Sequence, residues 1–131
     1  MVRIAGGFKE FWWCAEESCP HHKDSLTDHT RGKAEADVIP IADYFDHGHA
    51  LWEIMGVAVD VLGSEQGIVG GYSIVTDGEW IWRQDLGFYV RTYNLSLPTD
   101  LLSRIRELNY TIPDVPTERL IALTEESAAH F

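Results

Sequence analysis

The first group of side chains that could do chemistry lies near the N-terminus, within residues 14–29. It consists of Cys14, Cys19, His21, His22 and His29. Cysteine sulfur and histidine nitrogen are the usual ligands of structural zinc, and a loop with few apolar residues would be stabilised by a metal ion. The Cys-x4-Cys-x-His-His spacing differs, however, from the paired, closely spaced cysteines of standard zinc sites. We therefore expect a solvated polar loop without a cofactor, with a zinc site as the alternative.

A second polar group consists of Asp43, Asp46, His47 and His49. A His-x-His pair on a strand places both imidazoles on one side, which suits a catalytic metal ion. Such a site would need further carboxylates from later in the chain. The alternative is structural, because His47 precedes Gly48, which suits the end of a helix, and a cation stabilises a helix C-terminus. We favour the structural interpretation and keep a metal or ligand site at His47 and His49 as the alternative.

Aromatic and arginine side chains form a third candidate, a pocket with anion contacts at its edge. Core packing is the commoner role for aromatic residues at this spacing, so the pocket is weighed against burial in the core. The candidate pocket residues are Trp80, Trp82, Arg83, Tyr89, Arg91 and Tyr93. The chain has no G-x-S-x-G elbow, no P-loop, no G-x-G-x-x-G and no H-E-x-x-H. No catalytic set can therefore be assembled from known motifs.

Length and charge argue against several classes of function. The 131 residues fit one domain, residues 1–131, with a polar, loop-rich stretch at 14–37. The formal net charge of -11, from 21 acidic and 10 basic side chains, repels phosphate backbones and anionic membranes. No apolar run reaches the roughly 18 to 20 residues of a membrane-spanning helix, and a signal peptide is not evident. We expect a cytoplasmic protein with reduced cysteines that binds neither nucleic acid nor membranes.

The elements that must position these side chains begin with a short helix over Val38–Phe45, with Asp37 as its cap. Within residues 50–63 the β-branched residues favour a strand in the C-terminal part, apolar on both faces as in a central strand. Residues 68–83 are typical of a β-hairpin around a two-residue type I′ turn at Asp77-Gly78. That turn would pair Val75 with Trp80 and would place Val75, Trp80 and Trp82 on one face of the sheet.

Three helices are expected after the hairpin. The first follows Asp85 as its cap and ends at Asn94, the second opens at Ser96 and Pro98, and the third starts at Pro116. The apolar residues of each recur at helical spacing. The whole chain is thus predicted to be α+β, with a small antiparallel sheet packed by helices and a helical C-terminal third.

A run of motifs extends from the hairpin into the following helix. It reads TDGEWIW over residues 76–82, DL at 85–86, FYV at 88–90 and LP at 97–98. On these motifs residues 68–116 resemble a family of small bacterial proteins that is chiefly uncharacterised, and the resemblance implies no particular activity. By analogy of size and charge alone, the chain is also similar to immunity proteins, which neutralise a toxin enzyme.

The favoured function is a non-catalytic, acidic protein-binding module, for example an immunity-like inhibitor of a basic toxin or nuclease. The candidate partner-binding residues are Glu16, Glu17, Asp24, Asp28, Asp43 and Asp46. The alternative is a small-ligand binder or metal-dependent enzyme that uses the His47 and His49 region or the aromatic hairpin face. Association into a homodimer is compatible with both functions.

Overall fold

A computed structural model describes residues 3–5, 30 and 35–128. Over these residues the α+β prediction is confirmed: a four-stranded sheet, a two-stranded antiparallel sheet and four helices are present, the last helix at the C-terminus. In chain order the elements are β1 Arg3–Ile4, α1 Val38–Asp46, β2 His49–Trp52, β3 Val57–Val59, β4 Gly67–Val69, β5 Ile74–Thr76, β6 Trp80–Arg83, α2 Leu86–Tyr93, α3 Thr99–Glu107 and α4 Thr117–Ser127.

The larger sheet has the strand order β1-β6-β5-β2. Its β5–β6 and β2–β5 pairs are antiparallel, whereas β1 lies parallel to β6, with Arg3 opposite Trp80 and Ile4 opposite Ile81. The sheet is therefore mixed and not wholly antiparallel. The backbone N–H of Ala5 donates to the carbonyl of Ile81 at 2.9 Å, and the Arg3 guanidinium lies 4.2 Å from the centre of the Trp80 ring. A two-residue strand is too short for a hydrophobic period to reveal it.

The β5–β6 hairpin is present, but its predicted register is wrong by two residues. Val75 pairs with Trp82, not with Trp80, and Thr76 pairs with Ile81. The reason is the Asp77 carboxylate, whose Oδ1 accepts the backbone N–H groups of Glu79 and Trp80 at 2.9 and 2.8 Å. These bonds stabilise a longer loop in which Gly78, but not Asp77, has a positive φ. A shift of two residues preserves the faces, so Val75 and Trp82 still share one side.

Residues 50–63 form two strands where one was expected. The predicted strand is β3, but it pairs only with β4, in a sheet of its own. Only Ala58 of β3 is buried, and Val57 and Val59 are exposed. The interpretation of β3 as a central strand is therefore wrong, because no element among the described residues covers its outer face. Strand β2, which was not predicted, pairs with β5 across an irregularity between Ala50 and Trp52.

The predicted helices are found close to their expected bounds. Helix α1 packs against α2, and the Phe45 ring meets the Trp82 indole edge-on, with 5.1 Å between ring centres. Gly87 allows the close approach of α1 and α2, since a Cβ there would lie 2.8 Å from the Ala42 carbonyl oxygen. Asn94 ends α2 in the left-handed conformation, with φ 53°. Together α1, α2 and α3 enclose a core over the larger sheet.

Neither predicted aspartate cap forms a side-chain capping bond. Asp37 accepts hydrogen bonds from Arg106 and Tyr110 at 3.0 and 2.6 Å. Asp85 pairs with the buried Arg83 at 2.6 Å. A guanidinium is a stronger partner for a carboxylate than a backbone N–H, because both groups are ionised.

Within the described ranges, no helix has the length and apolar character to cross a bilayer.

Candidate functional site

Part of the predicted site lies outside the described residues. This applies to the N-terminal zinc candidates and to four of the acidic partner-binding candidates. They are Cys14, Cys19, His21, His22, His29, Glu16, Glu17, Asp24 and Asp28. The predictions made for these residues stay predictions.

The aromatic pocket candidates are core residues. Trp80, Trp82 and Tyr89 are at most 4 % exposed, and the Trp82 indole N–H donates to the Phe45 carbonyl at 2.9 Å. Tyr93 is half-buried and donates to Asp60. Burial of a tyrosine or tryptophan together with a partner for its polar atom is the usual way these side chains pack in a core. The aromatic face of the hairpin therefore serves packing in this structure.

Both pocket arginines are held by carboxylates of the same chain. Arg83 is buried against Asp85, and burial raises the pKa of the Asp85 carboxyl even though Arg83 opposes the shift. Arg91 bridges Asp43 and Asp46 at 3.2 and 2.7 Å. The hydrogen bond that Arg91 donates to the Asp46 carboxylate raises the pKa of Arg91. Two carboxylates predicted to bind a partner are thus already neutralised in part by an internal cation.

The two histidines of the second polar group line one cleft, although they do not lie together on one strand: His47 follows α1 and His49 begins β2. The cleft has a volume of about 390 Å³ and is also lined by Asp43, Tyr110 and Ile112. His47 Nδ1 lies 2.6 Å from the Asp43 carbonyl oxygen, and His49 Nε2 lies 2.9 Å from that of Pro113. Since a carbonyl only accepts, each of these nitrogens carries a proton. In the neutral rings His47 Nε2 and His49 Nδ1 are therefore acceptors.

A metal centre at this cleft lacks a third ligand. Over the residues that the structure describes, no group of three or more histidine, cysteine, aspartate or glutamate side chains could hold a metal ion. Structural and catalytic zinc sites use at least three protein ligands. The described residues alone therefore do not complete a zinc site at this cleft.

A smaller cavity, which sequence reasoning missed, lies where α1, α2 and α3 meet. Its volume is about 190 Å³, and apolar side chains such as Ile41 and Leu102 form part of its lining. Glu35, the ionisable residue in that lining, is paired with Arg106 at 3.2 Å. Asn94, Ser96 and Thr99 also line it, so the cavity is mixed in polarity and holds no unpaired charge.

Buried polar side chains elsewhere form closed networks. The Asp77 carboxylate, 1 % exposed, accepts from the Tyr44 hydroxyl and from Arg104 Nε, the latter at 2.9 Å. Burial and the neighbouring Asp77 raise the pKa of the Tyr44 hydroxyl. The Asp60 carboxylate accepts the N–H of Leu62 at 2.8 Å. Each network joins separate elements and has no cavity beside it among those described above, so it holds the fold together.

Pairing of the arginines leaves the described surface strongly acidic. Five of the six arginines in this part of the chain form ion pairs with carboxylates, and Arg119 donates to the Gly78 carbonyl at 3.3 Å. Six exposed carboxylates have no ion-pair or hydrogen-bond partner among the described residues. They are Glu53, Glu65, Glu107, Asp114, Glu118 and Glu125. Residues 34–82 contain no lysine or arginine.

An exposed apolar surface is the second feature that sequence reasoning missed. We define the β3–β4 outer face as Val57, Val59 and Val69, which are 51, 55 and 84 % exposed. Val57 and Val69 are cross-strand partners, and Val59 follows Val57 on the same side. Met55, 96 % exposed, precedes it along the chain. The alternation of exposure could have been expected from a strand pattern, but not which face is left open.

Comparison with known proteins adds no family or fold assignment. No protein-family model matches the chain, no curated protein is significantly similar to it, and no solved structure matches its fold. The resemblance of residues 68–116 to small bacterial proteins thus stays a prediction, and the function must be argued from the surface and the clefts described above.

Proposed function

We propose that this protein is a non-catalytic module that binds a basic partner protein through its acidic surface. The observation that carries the proposal is the distribution of charge. The arginines of the described residues are engaged within the chain, whereas six exposed carboxylates are not. An immunity-like inhibitor that covers the basic substrate groove of a toxin or nuclease is the example that fits this charge. A cytoplasmic location belongs to the same proposal.

Electrostatic attraction supports such a function kinetically. A formal charge of -11 produces a field that accelerates encounter with a cationic surface, and the acceleration falls as salt screens the field. The carboxylates without a partner among the described residues are spread over the loop before β3, the β3–β4 turn, α3, the connection between α3 and α4, and α4 itself.

The test is purification of the tagged full-length protein from its native host at low ionic strength, followed by elution with salt. We expect a stoichiometric basic protein that salt releases, and we expect the purified partner to lose its enzymatic activity on adding this chain. The variant E53Q/E65Q should slow association, whereas Thr92→Ala, an uncharged change at an exposed position, should not. If no stoichiometric protein is retained, or if release is independent of salt, the proposal is wrong.

A small-ligand binder is the second candidate, and the cleft at His47 and His49 favours it. Each ring donates one N–H to a backbone carbonyl, so the other nitrogen of the neutral ring is an acceptor. Native mass spectrometry of the untagged protein beside a denatured control tests this function. A retained small molecule that is lost in His49→Ala would support the ligand-binding function, whereas a bare protein mass would argue against it.

A further inference from the structure

We infer that the β3–β4 outer face is the central contact surface for the basic partner, which would cover Val57, Val59 and Val69 with apolar side chains of its own. This inference rests on the proposed function. It adds where the partner docks and which chemistry the partner must present: an apolar centre framed by lysine or arginine.

Exposure of this face is the first step of the argument. Three valines on one side of a two-stranded sheet are all at least half exposed, and Met55 beside them is 96 % exposed. Valine is among the residues most often buried, so several of them exposed together on one surface indicate an interaction site. By contrast, the opposite side of β3 is closed, with Ala58 at 0 % exposure.

The inner side of this small sheet is held firmly. The backbone N–H of Val61 donates to the Tyr89 hydroxyl at 3.0 Å, and the N–H of Asp60 donates to the Gln66 carbonyl at 2.9 Å. Gly71 packs against β3 so closely that a Cβ there would lie 2.7 Å from the Ala58 Cβ. The outer face is therefore a preformed surface anchored to α2, which lowers the entropic cost of docking.

The acidic residues near the β3–β4 outer face indicate what kind of partner would bind there. Glu53 lies shortly before β3 and Glu65 lies in the turn between β3 and β4, both exposed and without a partner among the described residues. The surrounding stretch, residues 34–82, has no lysine or arginine. An apolar centre with a charged rim is the usual anatomy of a protein interface. The complementary rim must be cationic.

The same rim argues against a second copy as the occupant. A symmetric dimer through this face would bring the acidic rims of both copies together, because a two-fold interface uses the same patch on each subunit. Like charges at an interface oppose binding. An anionic membrane surface is disfavoured for the same reason.

The experiment places a photo-crosslinking amino acid at Val69 or, as a control, at Ile121, an exposed apolar residue on α4. Each full-length protein is irradiated in the native host, and the crosslinked protein is identified, purified and titrated with the unlabelled chain. Three variants are compared with the wild-type chain in the titration: Val69→Asp, Ile121→Asp and the isosteric Val57→Thr/Val69→Thr. Melting curves establish that each variant is folded.

We expect crosslinking to a basic protein from position 69, and a loss of affinity of about tenfold or more for Val69→Asp. Electrostatics alone predicts the opposite sign, since the added carboxylate would attract a basic partner. Ile121→Asp adds the same charge elsewhere and should change affinity by less than about twofold. The threonine variant should weaken binding without any change in charge.

Three outcomes would overturn the inference. If Val69→Asp and Ile121→Asp affect a purified basic partner equally, the docking face is wrong while the proposed function stands. If position 69 crosslinks only to a second copy, the face is a dimer interface. If neither position crosslinks to a basic protein and none is retained at low ionic strength, the inference and the proposed function both fail.

Discussion

The hydroxyl of Tyr44 donates to the carboxylate of Asp77, and this bond ties helix α1 to the turn of the β5–β6 hairpin. Arg104 of α3 reaches the same carboxylate. One buried aspartate therefore joins the hairpin, α1 and α3, although these elements lie far apart in the sequence.

Replacing Asp77 with alanine should destabilise the fold by about 3–5 kcal/mol, because Arg104 and Tyr44 would lose a buried partner. Urea unfolding monitored by tryptophan fluorescence measures this difference. Asp114→Ala removes an exposed carboxylate without a partner in the described residues and should change stability by less than about 0.5 kcal/mol. Equal effects of the two substitutions would show that the network contributes nothing specific.

Acid should destabilise the protein partly through Asp37. The guanidinium of Arg106 and the hydroxyl of Tyr110 hold the pKa of this carboxyl well below its usual range. Its stabilising contribution is complete above the unfolded-state pKa of about 4 and is lost as the pH falls below it. Asp37→Asn should therefore flatten the dependence of unfolding free energy on pH in this acidic range. Asp114→Asn is the matched control, and an equally flat dependence in that variant would contradict the assignment.

Alkaline pH should destabilise the protein partly through its buried tyrosines. Burial raises the pKa of Tyr89 to about 12, so its stabilising contribution is complete below about pH 10 and is lost as the pH rises towards 12. Ultraviolet titration of the phenolates should show a late phase near pH 12 whose amplitude falls by one tyrosine in Tyr89→Phe. The substitution also removes the acceptor of the Val61 N–H, at a cost of about 1 kcal/mol. A late phase of unchanged amplitude in Tyr89→Phe would refute the assignment.

The contact between α1 and α2 should tolerate no extra carbon at Gly87. A Cβ at this position would lie 2.8 Å from the Ala42 carbonyl, so Gly87→Ala should destabilise by about 1–3 kcal/mol despite the better helix propensity of alanine. Thermal unfolding gives the comparison with Thr92→Ala, an exposed position on the same helix. A stabilised Gly87→Ala protein would mean that the helices can move apart freely.

Local patterns predicted the helices well, because the residues that determine them are close in sequence. Asn94 ends α2 and Pro116 precedes α4 as expected. The hairpin register was not predictable from turn propensity alone, since the bonds of the Asp77 carboxylate favour a different loop. Strand β1 was missed because its pairing with β6 depends on contacts between distant parts of the chain.

The candidate site was predictable only in part, for a similar reason. His47 and His49 line one cleft, but from the end of α1 and the start of β2 and not from a single strand. Arg91 forms ion pairs with Asp43 and Asp46, and no residue near these two in the sequence indicated this pairing. Exposure of Val57 and Val69 depends on which elements fail to cover β3 and β4, and this is a property of the tertiary fold.

The parallel pairing of β1 with β6 determines when the larger sheet can be completed as the chain leaves the ribosome. Arg3 and Ile4 emerge long before their pairing partners, which are residues 80 and 81. The β5–β6 hairpin closes a short loop, whereas β1 must close a long one, at a greater entropic cost. A nascent chain that ends before β6 has no strand for β1 to join. Until β1 pairs with it, the edge of β6 is free to pair with another chain. Correct assembly therefore requires β1 to dock soon after residue 83 has been synthesised.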